Sequence, residues 1–367
     1  MKQDGVTLSM LKLLEKLGIP SIDCVVYHKG SCVFRYQSGF SDEARKKPVD
    51  GSERYNIYSC SKVITSTAVM QLVEKDVIRL DDAVYEYLPE FRDMKRIVDG
   101  RLETVKNTMT IRHLLTMTAG LTYNTGSENL QRGKHETGGR MPTREAMKYL
   151  ACDPLVFEPG SSWQYSLGHD VLAAIVEVAS GKRFGLYVKD NIFDRIGMKN
   201  STFLLPENEL SEVAAQYRFD EQSRKYNSCG PEIQIYKLGT EYESGGAGCI
   251  STVDDYIMFL ENLRSGERLL HRDTVTRMTV PQISRKGEPV YDQFSNRPGY
   301  SYGLGVRCPK PGSNVLDWGW GGAAGAYLAI IPSLEITFFY AQHVLLSSSA
   351  VHQIRKNLTK AVIQDII

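Results

Sequence analysis

From Cys60 to about Asp76 apolar positions recur at helical spacing, at Val63, Ile64, Thr67, Ala68, Leu72 and Val73, a stripe dense enough to predict a buried central helix. Further helical periods run between about Asp81 and Phe203, through AVYEYLPEF, TIRHLLTMTAGL, REAMKYLA, SLGHDVLAAIVEVASG and GLYVKDNIFDRIGM. Gly181 follows the fourth of these as a C-cap candidate. VDDYIMFLENLRSG reads as another helix. Strand signals lie nearer the ends. IDCVVYHKGSCVFRYQSGFSD carries two β-rich runs around His28-Lys29-Gly30-Ser31, a hairpin signal, and AAGAYLAIIPSLEITFFYAQH reads as two strands joined around Pro332-Ser333. A final helix is expected from about Ser348. This order predicts an α/β protein of α+β type, with a sheet domain from residues 1–80 and 245–367 and an inserted, mainly helical domain over 81–244.

Two segments qualify that outline. TGSENLQRGKHETGGRMPT, residues 125–143, is polar, Gly-rich and longer than structureless loops usually run, which predicts a lid or binding loop. The first residues, MKQDGVTLSMLKLLEKLG, place Lys12, Glu15 and Lys16 inside the apolar run, so they read as an amphipathic helix and not as a secretion signal.

Composition narrows the function. With 42% apolar and 24% charged residues in 367, the chain can bury a sizeable core, and no run is apolar and long enough to span a bilayer. A net charge of +1, with Arg45-Lys46-Lys47 as the basic block, gives no attraction to nucleic acid or to an anionic membrane. The expected partner is a small molecule. Seven scattered cysteines without a C-x-x-C pair, and seven histidines without ligand spacing, predict reduced thiols in a cytoplasm, no metal and no cofactor. Oligomeric state leaves no trace in the sequence.

Three stretches carry candidate chemistry. In Ser59-Cys60-Ser61-Lys62 a helix beginning at Ser59 sets a hydroxyl and an amine one turn apart. An ammonium at a helix N-terminus in a poorly hydrated cleft is disfavoured, and a neutral amine can take a serine proton. The same spacing also suits Ser59 as a helix cap and Lys62 as a solvated first-turn residue. Tyr165, ahead of the helix LGHDVLAAIVEVASG, is a phenol that can act as a base near a cation; it can equally be a packing tyrosine, one of 20 in the chain. In WGWGGAAGAYLAI, Gly321, Gly322 and Gly325 let a substrate approach strand N–H groups that could serve an oxyanion, or simply make a tight turn.

Taken together the three resemble the serine β-lactamase and penicillin-binding-protein-like hydrolases, in the branch of class C β-lactamases and family VIII esterases. TIRHLLTMTAGL, EPGSSWQYS, FDRIGMKNSTF and GGAGCISTVDDYIMF are similar to recurrent segments of that family, so the resemblance covers nearly the whole chain. It implies a β-lactamase/transpeptidase-like fold, an antiparallel sheet flanked by helices plus a helical lobe. It also implies a serine hydrolase in which Ser59 is acylated, Lys62 is its partner and Tyr165 is the catalytic tyrosine. The backbone N–H groups of Ser59 and Ala323 would form the oxyanion hole, and Leu167, Trp320, Gly321 and Gly322 would line the substrate site.

Two departures bear on substrate. Where the β-lactamases carry Tyr-x-Asn this chain has Leu167, which cannot bond an amide side chain. Where they carry lysine in the strand triad it has Trp320, which offers no cation to a substrate carboxylate. An apolar ester loses nothing by either change, so the expected activity is a carboxylesterase on small esters. A class C-like β-lactamase, a D-amino-acid peptidase and an inactive binding protein of the same fold stay as alternatives. His113 and His169, in apolar helices, read as structural, and Cys60 as pointing away from Ser59.

Overall fold

A computed structural model describes residues 5–230, 235–266, 268–345 and 354–367. Its centre is a seven-stranded antiparallel sheet. The strands are β1 (Ser21–His28), β2 (Ser31–Gly39), β3 (Tyr300–Tyr302), β4 (Arg307–Pro309), β5 (Trp318–Gly321), β6 (Tyr327–Ile331) and β7 (Ile336–Ala341). They lie in the order β2-β1-β7-β6-β5-β4-β3, so strands from both ends of the chain meet where β1 pairs with β7, Val25 opposite Phe339. The two predicted hairpins are present, β1–β2 about Lys29-Gly30 and β6–β7 about Pro332–Leu334.

Alternation along these strands feeds two cores. Cys24, Val26, Phe338 and Tyr340 face one layer, with Leu11 and Leu14 of helix α1 (Val6–Lys16) and Leu358 and Val362 near the C-terminal helix. Val25, Leu328 and Phe339 face the other, larger core. A sheet covered on both faces explains why β6 and β7 are buried throughout and read as nearly unbroken apolar runs.

The predicted central helix is α2 (Ser61–Glu74), and it is buried all round and not along one stripe: every residue from Ser61 to Leu72 is inside. It packs against α3 (Gly168–Ser180). Its threonines are satisfied, Thr67 within the helix by the Val63 carbonyl at 2.8 Å and Thr65 across the chain by the Gly245 carbonyl at 2.6 Å. On the sheet lies α4 (Val253–Ser265), capped by Thr252. A short helix α5 (Glu288–Ser295) precedes β3, and α6 (Thr359–Ile366) ends the chain. Of the final helix expected from about Ser348, residues 348–353 lie outside the described set, as do residues 1–4 of the first.

The 125–143 segment, expected as a lid or binding loop, carries a helix: Glu128–Glu136 is capped by the Ser127 side chain and packed on the helix Thr143–Leu150. Amphipathic spacing within a polar composition was enough to fold it, and no hydrogen bond or ring contact joins it to Ser59, Lys62 or Tyr165. The stretch after Asp81 also holds an unpredicted hairpin, Lys95–Val98 with Arg101–Thr104. No helix among the described residues is long and apolar enough to cross a membrane.

Candidate active site

The helix of the Ser59 motif starts later than its spacing predicts. Tyr58–Cys60 forms a single tight 3₁₀ turn and α2 proper begins at Ser61. Ahead of the serine, Tyr58 holds φ at +48°, a left-handed conformation that costs a non-glycine residue roughly 1–2 kcal/mol. Its side chain fixes the strained turn: the hydroxyl donates to Gln216 at 2.6 Å and the ring stands edge-on to Tyr236. Cys60 then points into the core, where burial pushes its thiol up to about 12. The turn leaves the neighbouring Ser59 half-buried.

Three side chains converge there. The Lys62 ammonium donates to Ser59 Oγ at 3.3 Å and to the Gly246 carbonyl at 2.7 Å. The Tyr165 hydroxyl donates to the same Ser59 Oγ at 2.6 Å. Lys62 has no exposed surface, and its ammonium also sits 4.6 Å from the Tyr165 ring centroid and 5.2 Å from that of Tyr123. A hydroxyl held between an amine and a phenol can lose its proton to one group and later receive one from the other.

Strand β5 closes the opposite side. Its end presses on the segment that carries the serine: a Cβ at Gly322 would lie 2.3 Å from the Ile57 carbonyl oxygen, so only glycine fits. Arg355 anchors this end by donating to the Gly322 carbonyl at 3.2 Å. The next residue, Ala323, has an N–H bonded to no other described residue, as an oxyanion donor requires. Trp320 lies 8% exposed, its ring stacked at 6.0 Å on that of Tyr165 and edge-on at 5.0 Å to Tyr302.

Not every expected residue reaches the cleft with its side chain. Leu167 is 2% exposed within the main core, and its N–H is engaged by the Thr122 carbonyl, so it offers a substrate little surface. His113 completes a capping box with Thr110, and His169 meets Ser66 at 3.1 Å; burial, with Lys62 nearby, holds His169 neutral.

The structure also supplies residues that the motifs did not mark. Asp170 is fully buried and accepts from Tyr242 at 2.8 Å and Ser244 at 2.6 Å. Burial raises its carboxyl, against the hydrogen bonds and Lys62, which pull it down. A Cβ at Gly246 would stand 2.5 Å from Asp170 Oδ2 and 3.3 Å from Lys62 Nζ, so glycine lets a carboxylate and the amine share one buried pocket. The only sequence sign was a charged residue early in a largely apolar helix. Tyr123, stacked on Tyr165 at 5.3 Å, and Phe294 of α5, at 5.2 Å and half exposed, complete an aromatic wall.

Comparison with known proteins bears on this arrangement. The family model described as Beta-lactamase matches residues 10–356. Esterase EstB of Burkholderia gladioli is 29% identical over 305 residues, 76% of this chain and 73% of the relative. Acyltransferase calJ of Penicillium decumbens is 30% identical over 312 residues, 78% and 74% of the two chains. Among solved structures, EstCE1, a hydrolase with promiscuous acyltransferase activity, superposes with a TM-score of 0.76 at 24% identity, covering 96% of this chain and 97% of its own. A LovD6 mutant of simvastatin synthase from Aspergillus terreus gives 0.81 at 23% identity, over 99% and 95%. These likenesses carry the β-lactamase/transpeptidase-like fold, and the family match runs through every segment that builds the cleft. This chain therefore belongs to the Beta-lactamase family and is an enzyme of the serine hydrolase type.

Proposed function

We propose that the protein is a carboxylesterase acting on small esters through an acyl-enzyme at Ser59. The observation that carries this reading is the contact of Ser59 Oγ with both Lys62, at 3.3 Å, and Tyr165, at 2.6 Å. Ser59 attacks the ester carbonyl as its proton passes to the neutral Lys62 amine or the Tyr165 phenolate, and the N–H groups of Ser59 and Ala323 receive the developing oxyanion. Collapse breaks the ester C–O bond, and the leaving alkoxide takes the proton back. Water repeats the sequence on the acyl-enzyme, releasing the acid.

Trp320 favours an ester over a β-lactam, because it puts an indole, stacked on Tyr165, where a charged substrate needs a cation. A relative named as an esterase supports the same choice. Seven unpaired cysteines fit a reducing cytoplasm. With p-nitrophenyl butyrate the protein should turn over, and Ser59→Ala should lower kcat/KM by about a thousandfold or more. Nitrocefin should be a poor substrate. Undiminished activity in Ser59→Ala would remove the nucleophile assignment.

A second reading is transfer of the acyl group to an alcohol in place of water, favoured by the relative named as an acyltransferase. The same acyl-enzyme serves both. An added alcohol that raises p-nitrophenol release and yields a new ester would establish transfer, and product composition unchanged by alcohol would dismiss it.

A further inference from the structure

A hollow of about 710 Å³ lies away from the cleft, between the C-terminal helix and the start of β5, and none of Ser59, Lys62, Tyr165, Trp320 or Ala323 lines it. That volume is within the roughly 300–1,000 Å³ of small-molecule sites. Three cations surround it: Arg297, Lys356 and Lys360. Arg297 donates to the neutral hydroxyls of Tyr327 at 2.8 Å and Tyr300 at 3.3 Å, and no ion pair with a described carboxylate engages any of the three. The one acid in the lining, Asp317, is buried and already committed to Arg307 and to the Tyr300 hydroxyl. Lys356 and Lys360 lie four residues apart and line the same hollow, where like charges repel. The rest of the wall mixes the polar Asn296, Asn314, Thr359 and Gln364 with the apolar Val315, Ile363 and Leu316, the last 45% exposed.

We propose that this hollow binds a small amphipathic anion, its head against Arg297, Lys356 and Lys360 and its apolar body along Val315, Leu316 and Ile363. Unneutralised cations in one hollow with apolar side chains match a ligand that carries both features and reject one that lacks the charge. The site goes beyond the esterase reading and does not depend on it.

Titration calorimetry of the full chain with octanoate, octyl phosphate and 1-octanol tests the proposal. One anion or both should bind at one site per chain, and the tighter identifies the headgroup; octanol should bind at least tenfold more weakly. Lys356→Glu/Lys360→Glu should weaken the anion at least tenfold while p-nitrophenyl butyrate hydrolysis stays unchanged. Leu316→Asp, an exposed position, should weaken it independently. Octanol binding as tightly as the anions, no binding of either anion, or full affinity in the charge-reversed protein would overturn the assignment.

Discussion

At the residue scale the cleft depends on two short contacts made to one oxygen. Ser59 and Lys62 are one turn apart, so local geometry brings them together, whereas Tyr165 arrives from 106 residues away at the foot of another helix. Replacing Tyr165 by phenylalanine keeps its stacking on Tyr123, Phe294 and Trp320 but removes the proton carrier. Its kcat should therefore fall by about a hundred- to ten-thousandfold with KM little altered. A larger change in KM than in kcat, measured on p-nitrophenyl butyrate, would mean that the phenol binds substrate and moves no proton. The Ser59 motif was readable because its spacing encodes contact. Asp170 was half readable, as an acid in an apolar helix. Tyr123 and Phe294 were not, since neither position differs in pattern from a core aromatic.

Elements were legible where periodicity and turn chemistry agreed. The hairpins at Lys29-Gly30 and Pro332–Leu334, the Gly181 cap at φ +69° and the helix over VDDYIMFLENLRS all follow that rule. The hairpin at Asp99-Gly100 carried an equally plain turn, both residues left-handed at φ +48° and +76°, but its strands are short and exposed, with no apolar face to announce them. What periodicity does not encode is how closely two elements approach. At the end of β5, Gly322→Ala drives a methyl into the Ile57 carbonyl and must shift either the strand or the serine turn. Turnover should drop by about a hundredfold, as expected for a displacement on the order of 1 Å at the reacting atoms. Parent-like kinetics in a folded Gly322→Ala protein would show that the approach is slack.

At the scale of the molecule, stability and pH are tied through buried histidine. His343 is fully buried between the Ala214 carbonyl, at 2.8 Å from Nδ1, and Asn56, and burial pushes its pKa down from 6.5 to about 4. The unfolded chain therefore takes up a proton below pH 6.5 that the folded chain refuses until about pH 4. Stability present above pH 6.5 should be lost progressively across that window, by roughly 3 kcal/mol from this group alone at 1.36 kcal/mol per pKa unit. Urea denaturation at pH 7 and pH 4.5 should show a smaller loss for His343→Gln than for the parent; equal losses would assign the acid sensitivity elsewhere.

Pairing β1 with β7 sets Val25 beside Phe339, more than three hundred residues along the chain. A ribosome that has delivered all but the last strands holds β1 and β2 as a bare two-stranded ribbon, its inner edge open and its apolar side chains wet. Long-range closure of this kind is slow, so newly made chains should lean on holding chaperones until residue 341 has emerged.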